Sequence, residues 1–340
     1  VDIVGVSGWD LVVIAAVLAG YALVSGRLRT TPVSVAMVFV VAGLVLGTEG
    51  LGVFRADVGS TAVRQLAELA LAIVLFTDAS SVRPRLLARQ AAIPVRLLAI
   101  GLPLTILAGW ATGWALLGGL GVFELLCVAI LVAPTDASLG QAVVTDERLP
   151  SGVRQGLNVE SGLNDGLCVP LLVLAVAFAQ LDEAPSLGLG LIADVAGEVG
   201  LAVVVGAVVG MVGAWLLVVS DRRQWVERRW GDLVPLAIVV VAFIVTGLWG
   251  GSGFVATFVA GIAYRRVAGA LEVHTTDALV EDLGRTLSAV TFFVFAAVVL
   301  GPAMVGLSWQ VVVFAVAALT VVRMVPVAVS LVGSGCDRPT

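Results

Sequence analysis

The feature that most constrains this chain is the recurrence, from end to end, of uncharged apolar stretches. A helix rises about 1.5 Å per residue, so about 20 apolar residues cross the hydrocarbon core of a bilayer. Eleven such segments can be marked off: 9–26, 32–48, 61–80, 92–118, 121–144, 155–180, 188–219, 232–249, 251–266, 284–304 and 308–333. Charged residues make up 13% of the 340 positions and hydrophobic ones 60%. A soluble domain carries about 25% charged residues, so this chain has too little charge to cover a water-facing surface. Gly and Pro inside the segments are tolerated by spanning helices. The expectation is an all-α polytopic membrane protein, one transmembrane domain over residues 1–340.

The 19 basic residues are all arginine, and their placement sets the topology. Loops after odd-numbered segments hold Arg27 and Arg29; Arg83, Arg85 and Arg89; Arg148 and Arg154; Arg222, Arg223, Arg228 and Arg229; and Arg265, Arg266 and Arg285. Loops after even-numbered segments hold Arg55 and Arg64. By the positive-inside rule the odd loops are cytoplasmic and the N-terminus is outside. A missed or invented helix would break this alternation. The first apolar stretch lacks a basic leader and a cleavage site, so no removable signal is expected. The polar stretch 267–283 is expected to form a short cytoplasmic amphipathic helix or loop.

Several chemistries lack their residues. Cys127 and Cys168 sit in apolar runs, and with Cys336 they show no metal-ligand spacing. His274 is the single histidine. There is no GxxxxGK[ST] nucleotide loop, and the chain has no lysine to complete one.

What remains is polar residues in segments that should be apolar, each of which is costly inside a membrane. Segment six carries Glu160, Ser161, Asn164 and Asp165. At about 100° per residue these fall within an arc of roughly 140°, a face that cannot point at lipid. Segment five carries Ala133-Pro134-Thr135-Asp136. Proline removes a backbone donor, and the unwinding it allows leaves carbonyls available to a cation. Asp78 lies near the inner end of segment three, where an interfacial position would also explain it. Arg323 lies inside segment eleven. Counted from the inner ends, Glu160 is roughly 8 Å deep, Arg323 and Asp165 roughly 15 Å. Allowing for tilt, Arg323 is expected to pair with Glu160 rather than with Asp165. Glu68, Asp194 and Glu198 have no specific role in this reading.

An oxygen-rich, acidic site without soft ligands suits a hard monovalent cation. Burial raises a carboxylate's pKa and a nearby cation lowers it, so one aspartate can hold a proton or a metal ion in turn. If the site faces one side at a time, that competition couples two opposite flows. A proton-coupled carrier of another solute, a cation channel and a two-aspartate intramembrane protease using Asp136 and Asp165 stay open at this point.

The run Asn158–Gly166 (NVESGLNDG), with APTDA at 133–137, resembles the NhaP-type sodium/proton antiporters of the monovalent cation:proton antiporter-1 family. LALAIVLFTDAS at 69–80, SGFVATFVAGI at 252–262 and VVRMVPVAVSL at 321–331 extend the resemblance over essentially the whole chain. It implies an inverted-repeat fold and exchange of Na+, with Li+ or K+ as alternatives, for H+. Asp165 would bind cation and proton in turn. Asp136, Ser161 and the Thr135 backbone would complete the transported ion's ligands, and Asp78 would stand nearby. Glu160 and Arg323 would form a structural ion pair, with Asn164 in their network. Asn164 in place of a second aspartate implies the electroneutral branch. The resemblance further implies a homodimer in the bacterial cell membrane, no cofactor, no nucleic-acid partner and no enzymatic activity. Family members carry further helices after the segment-eleven arginine, so the fold is expected to be truncated before its last helices.

Overall fold

A computed structural model describes residues 7–28, 31, 33–56, 61–81, 92–135, 151–182, 189–270 and 278–332. Among the described residues there are helices and no strand. The helices are α1 (Gly8–Leu28), α2 (Val35–Leu46), α3 (Thr61–Ser81), α4 (92–116), α5 (Val122–Val132), α6 (Ser151–Asp182), α7 (Leu189–Arg222), α8 (Leu233–Leu248), α9 (Gly253–Ala270), α10 (278–305) and α11 (Trp309–Leu331). Each coincides with one of the eleven apolar segments. One helical turn, Arg228–Gly231, precedes α8.

Local chemistry explains several ends. Ser7 and Asp10 form a reciprocal cap on α1: the Asp10 backbone N–H donates to Ser7 Oγ at 3.2 Å, and Ser7 N–H to Asp10 Oδ2 at 3.0 Å. Ser34 caps α2 through the Met37 N–H. At α5, Glu124 reaches back to the Gly121 N–H at 2.7 Å. Two helices contain a π-turn, Leu97–Gly101 in α4 and Ala296–Leu300 in α10. Leu102 donates to the Leu97 carbonyl and Gly101 allows close approach; Gly301 donates to Ala296 in the same way. Pro103 and Pro302 follow directly. The wider turn makes room for a proline ring that would otherwise collide with the preceding turn.

Three expectations change in detail. Segment five does not run on as helix to 144: α5 stops at Val132, and Ala133–Thr135 are non-helical. The polar stretch 267–283 is not a separate helix at its ends, which are taken into α9 and α10, while 271–277 lie outside the described residues. Segment eleven breaks at Thr320, whose φ −116 and ψ −95 leave the helical region.

The helices gather in two groups. In one, α7 lies along α9, α8 packs on both, α9 packs on α3, and α10 bridges α3 and α2. In the other, α4 packs on α5, α5 on α6 and α11 on α4. The groups meet where α6 touches α3 and α9. Chain ends agree with the arginine topology. Arg96, at the start of α4, donates to the Val332 carbonyl at the end of α11 at 2.9 Å. At the opposite surface the Arg55 N–H donates to Asp10 at 3.0 Å, and Trp110 donates to the Val122 carbonyl at 3.1 Å.

Six of the helices, α1, α4, α6, α7, α10 and α11, are long and apolar enough to cross a membrane, and α2, α5 and α8 are apolar but shorter. α3 and α9 fall outside both sets. Their charges set them apart: α3 holds Arg64, Glu68 and Asp78, and α9 holds Arg265 and Arg266. Both also bury a face against protein. Ala72, Ile73, Leu75 and Phe76 of α3, and Ala256, Thr257, Ala260 and Tyr264 of α9, are at most 1% exposed.

Close packing between apolar helices has no hydrophobic drive in lipid and depends on small residues. Gly206-x-x-x-Gly210 of α7 supplies it: a β-carbon would lie 2.3 Å from the Ala256 carbonyl oxygen at the first and 2.4 Å from that of Ala260 at the second. Gly43-x-x-x-Gly47 of α2 does the same against Phe293 and Ala297 of α10. Gly206→Leu should therefore lower the melting temperature and the monodisperse yield in size-exclusion chromatography, since overpacking costs about 1–3 kcal/mol or more. Gly20→Leu, where nothing lies within 4 Å of a β-carbon, should leave both unchanged.

Candidate functional site

The site starts from the break after α5. Pro134 has no N–H to give the Ile130 carbonyl, which is met instead by the Ala133 N–H at 3.4 Å. The Ala133 carbonyl, just past the end of α5, accepts from Nη1 of Arg323. The other guanidinium nitrogen, Nη2, donates to Glu160 Oε1 at 2.8 Å and to Thr135 Oγ1 at 3.0 Å. The side chains of Arg323 and Glu160 are 18% and 8% exposed. One arginine from α11 thus ties the unwound end of α5 to the middle of α6.

Asn164 and Ser161 close the network. Asn164 Nδ2 donates to Thr135 Oγ1 at 3.0 Å and to Glu160 Oε1 at 3.3 Å. Thr135 Oγ1 lies 3.3 Å from Glu160 Oε2 and 3.2 Å from Ser161 Oγ. A hydroxyl has one proton and two lone pairs. Arg323 and Asn164 take both lone pairs, so the Thr135 proton goes to an acceptor, and the carboxylate is the stronger one. The Asn164 orientation follows: turning its amide would set a carbonyl oxygen against Glu160. Its Oδ1 is buried without a hydrogen-bond partner.

The face of α6 divides into two adjacent rows. Glu160, Asn164 and Cys168, spaced four apart, are 6%, 0% and 4% exposed. Ser161, Asp165 and Val169, one position round, are half-buried. The inner row holds α5 and α11. The outer row carries a carboxylate and a hydroxyl one turn apart in a more accessible setting. Because Arg323 balances Glu160, the negative charge of Asp165 is the one left uncompensated by that pair. Asp165 has an interaction of its own, as does Asp78, half-buried on α3.

The sequence-predicted residues Thr135, Glu160, Ser161, Asn164 and Arg323 are thus brought together, with Asp165 on the next row. Asp78 stands on the helix that packs on α6. Asp136 lies outside the described residues. Glu68 pairs with Arg64 at 2.7 Å near the α3 start, while Asp194 and Glu198 are exposed on α7. Among the described residues no group of three or more His, Cys, Asp or Glu is placed to hold a metal ion. An alkali cation here would draw on hydroxyl and backbone oxygens as well. Sequence reasoning missed the Ala133 carbonyl as the second anchor of Arg323. It also passed over Asp10, 4% exposed, whose signal was the Ser7-x-x-Asp10 spacing.

Comparison with known proteins follows this geometry. The model of the family described as sodium/hydrogen exchanger, transmembrane, matches residues 13–338. A probable Na+/H+ antiporter of Schizosaccharomyces pombe is 26% identical over 240 residues, 64% of this chain and 30% of that protein. The K+/H+ antiporter NhaP of Alkalimonas amylolytica is 26% identical over 243 residues, 70% of this chain and 40% of that protein. The chain thus spans less than half the length of either relative. The structure of the sodium proton antiporter MjNhaP1 from Methanocaldococcus jannaschii superposes with a TM-score of 0.74 at 18% identity, covering 96% of this chain and 79% of that one. The fold is therefore that of the MjNhaP1 antiporter.

The ion pair yields a direct prediction. Arg323→Ala or Glu160→Ala alone strands a buried charge and should cost about 3–5 kcal/mol. Arg323→Met with Glu160→Leu should recover most of it. A double-mutant cycle of Arg323→Met, Glu160→Leu and the two combined, on thermal stability in detergent, measures the coupling, and additive losses would contradict the pairing.

Proposed function

The chain belongs to the sodium/hydrogen exchanger family, and from that premise we propose that it exchanges a monovalent cation for a proton across the membrane. The family is one of transporters, not enzymes, and the chain is a multi-pass membrane protein. Asp165 is the proposed carrier of both ions. The observation that carries this reading is the split between the two rows of α6. The inner carboxylate, Glu160, is neutralised by Arg323 at 2.8 Å. The outer one sits beside Ser161 in a half-buried setting, where either a proton or an arriving cation can neutralise it.

In this reading a proton on Asp165 makes the row neutral. A sodium ion displaces it and recruits oxygens from Ser161, the Thr135 backbone and Asp136. Asp78 contributes negative potential from α3. Either loaded form neutralises the charge of Asp165, whereas crossing with neither ion carries that charge through the membrane, so the empty crossing is disfavoured and the two flows are coupled. With Asn164 in place of a second aspartate, the proposed exchange is one proton per cation, hence electroneutral. Sodium is the proposed cation, and lithium and potassium are the competing ones; the names of the two relatives divide between Na+ and K+. No cofactor is required. A homodimer in the bacterial cell membrane is the proposed assembly.

The test is proton movement in proteoliposomes carrying an acid-inside gradient. Adding sodium or potassium outside should dissipate the gradient, and Asp165→Asn should abolish that effect while leaving the protein monodisperse. A full response in Asp165→Asn, or no response of the unaltered chain to any alkali cation, would contradict the proposal.

A further inference from the structure

Two sequence motifs have no part in the ion-pair network: Leu69–Ser80 of α3 and 252–262, which opens α9. They pack on each other and on α6, where the two helix groups meet. Their apolar residues there are Leu75 and Ala79 of α3 and Phe254 and Phe258 of α9, set against Leu163 and Val169 of α6.

At the centre of this seam the Phe258 ring lies directly on Gly166. A β-carbon on Gly166 would stand 1.9 Å from Cε2 and 2.2 Å from Cδ2 and Cζ of that ring. The ring is 7% exposed, and Leu75 and Ala79 beside it are at most 1% exposed. Gly166 follows Asp165 directly. At about 100° per residue Leu163, Gly166 and Val169 form one face of α6, and Asp165 falls about 40° from Val169, at the edge of that face. A large aromatic seated in a glycine hole therefore closes the α3/α9 side of the helix that carries the half-buried carboxylate.

We infer that Phe258 is a gating residue for the Asp165 site. While its ring occupies the Gly166 hole, water and ions cannot reach Asp165 along the seam. When α6 shifts relative to α3 and α9, the ring leaves the hole and that side opens. Only glycine at 166 lets the ring seat, and only a large side chain at 258 fills the gap. Phe258 acts through access and makes no bond to the ion. The inference rests on Asp165 being the ion-carrying group, but the barrier itself can be measured without transport.

The experiment is thiol accessibility at the site. Asp165→Cys is made in a background with Cys127, Cys168 and Cys336 replaced by Ser. Its modification rate by a small, charged, water-soluble methanethiosulfonate reagent is measured in proteoliposomes. Phe258→Ala should raise that rate about tenfold, as the accessible population grows, with Phe258→Leu between. A cysteine at Trp225, 70% exposed in the loop after α7, should react at an unchanged rate in all backgrounds. An unchanged rate at Asp165→Cys in both Phe258 variants overturns the gate, even if sodium–proton exchange is intact. If Phe258→Ala does not yield folded protein, the Phe258→Leu rate alone decides. A raised rate together with an exchange-inactive parent chain supports the gate and removes the proposed function.

Discussion

A guanidinium inside a bilayer must bring its own partners, and the partners of Arg323 organise this molecule. Insertion scales set the cost of an arginine at mid-membrane depth at about 2.5–3.5 kcal/mol before any compensation. Arg323 meets it with a carboxylate, a hydroxyl and a main-chain carbonyl drawn from two other helices. That carbonyl lies just past the end of α5, beside Pro134. The break in α5, the charge on α6 and the arginine on α11 are thus joined in one network, and removing one charge alone strands the other. The consequence of the network is electrostatic: it uses up the charge of Glu160, and the proposed ion carrier stands on the neighbouring row of α6.

Around this fixed centre the two helix groups are bound differently. In the α2/α10 and α7/α9 pairs, glycines let backbones touch, and no side chain can be added without displacement. The contact between the groups relies on side chains instead, with Phe258 seated over Gly166. Backbone-to-backbone packing resists relative motion, while a ring in a hole can leave and return. Close backbone packing lies inside the groups and a side-chain contact between them, the distribution that the proposed alternating access would use.

Much of this was legible in the sequence. Eleven apolar runs and the arginine alternation gave the helices and their directions, because lipid forces length and charge to declare themselves. Depth arithmetic put Glu160 roughly 8 Å and Arg323 roughly 15 Å from the inner ends, compatible once tilt is allowed, and the structure sets them 2.8 Å apart. The helical arc of α6 grouped Glu160, Ser161, Asn164 and Asp165. Periodicity alone did not divide them into a buried row and a half-buried one, because that division depends on what α5 and α11 cover. Nor did it show that α3 and α9 are interior helices, since their charges near the ends read like those of any short span. The Ala133 carbonyl was invisible because a main-chain acceptor carries no residue label, and the seat for Phe258 because a glycine's neighbour is set by the fold.

The central claim is that one carboxylate on the outer row of α6 holds a proton or a cation but not both. Binding of radiolabelled sodium to the purified protein across a pH series tests it most directly. Competition predicts that half-saturating sodium rises about tenfold per pH unit below the carboxylate's pKa and levels off above it. A half-saturation point that stays flat across the same range would show that cation and proton occupy separate groups, and the account would fail at its centre.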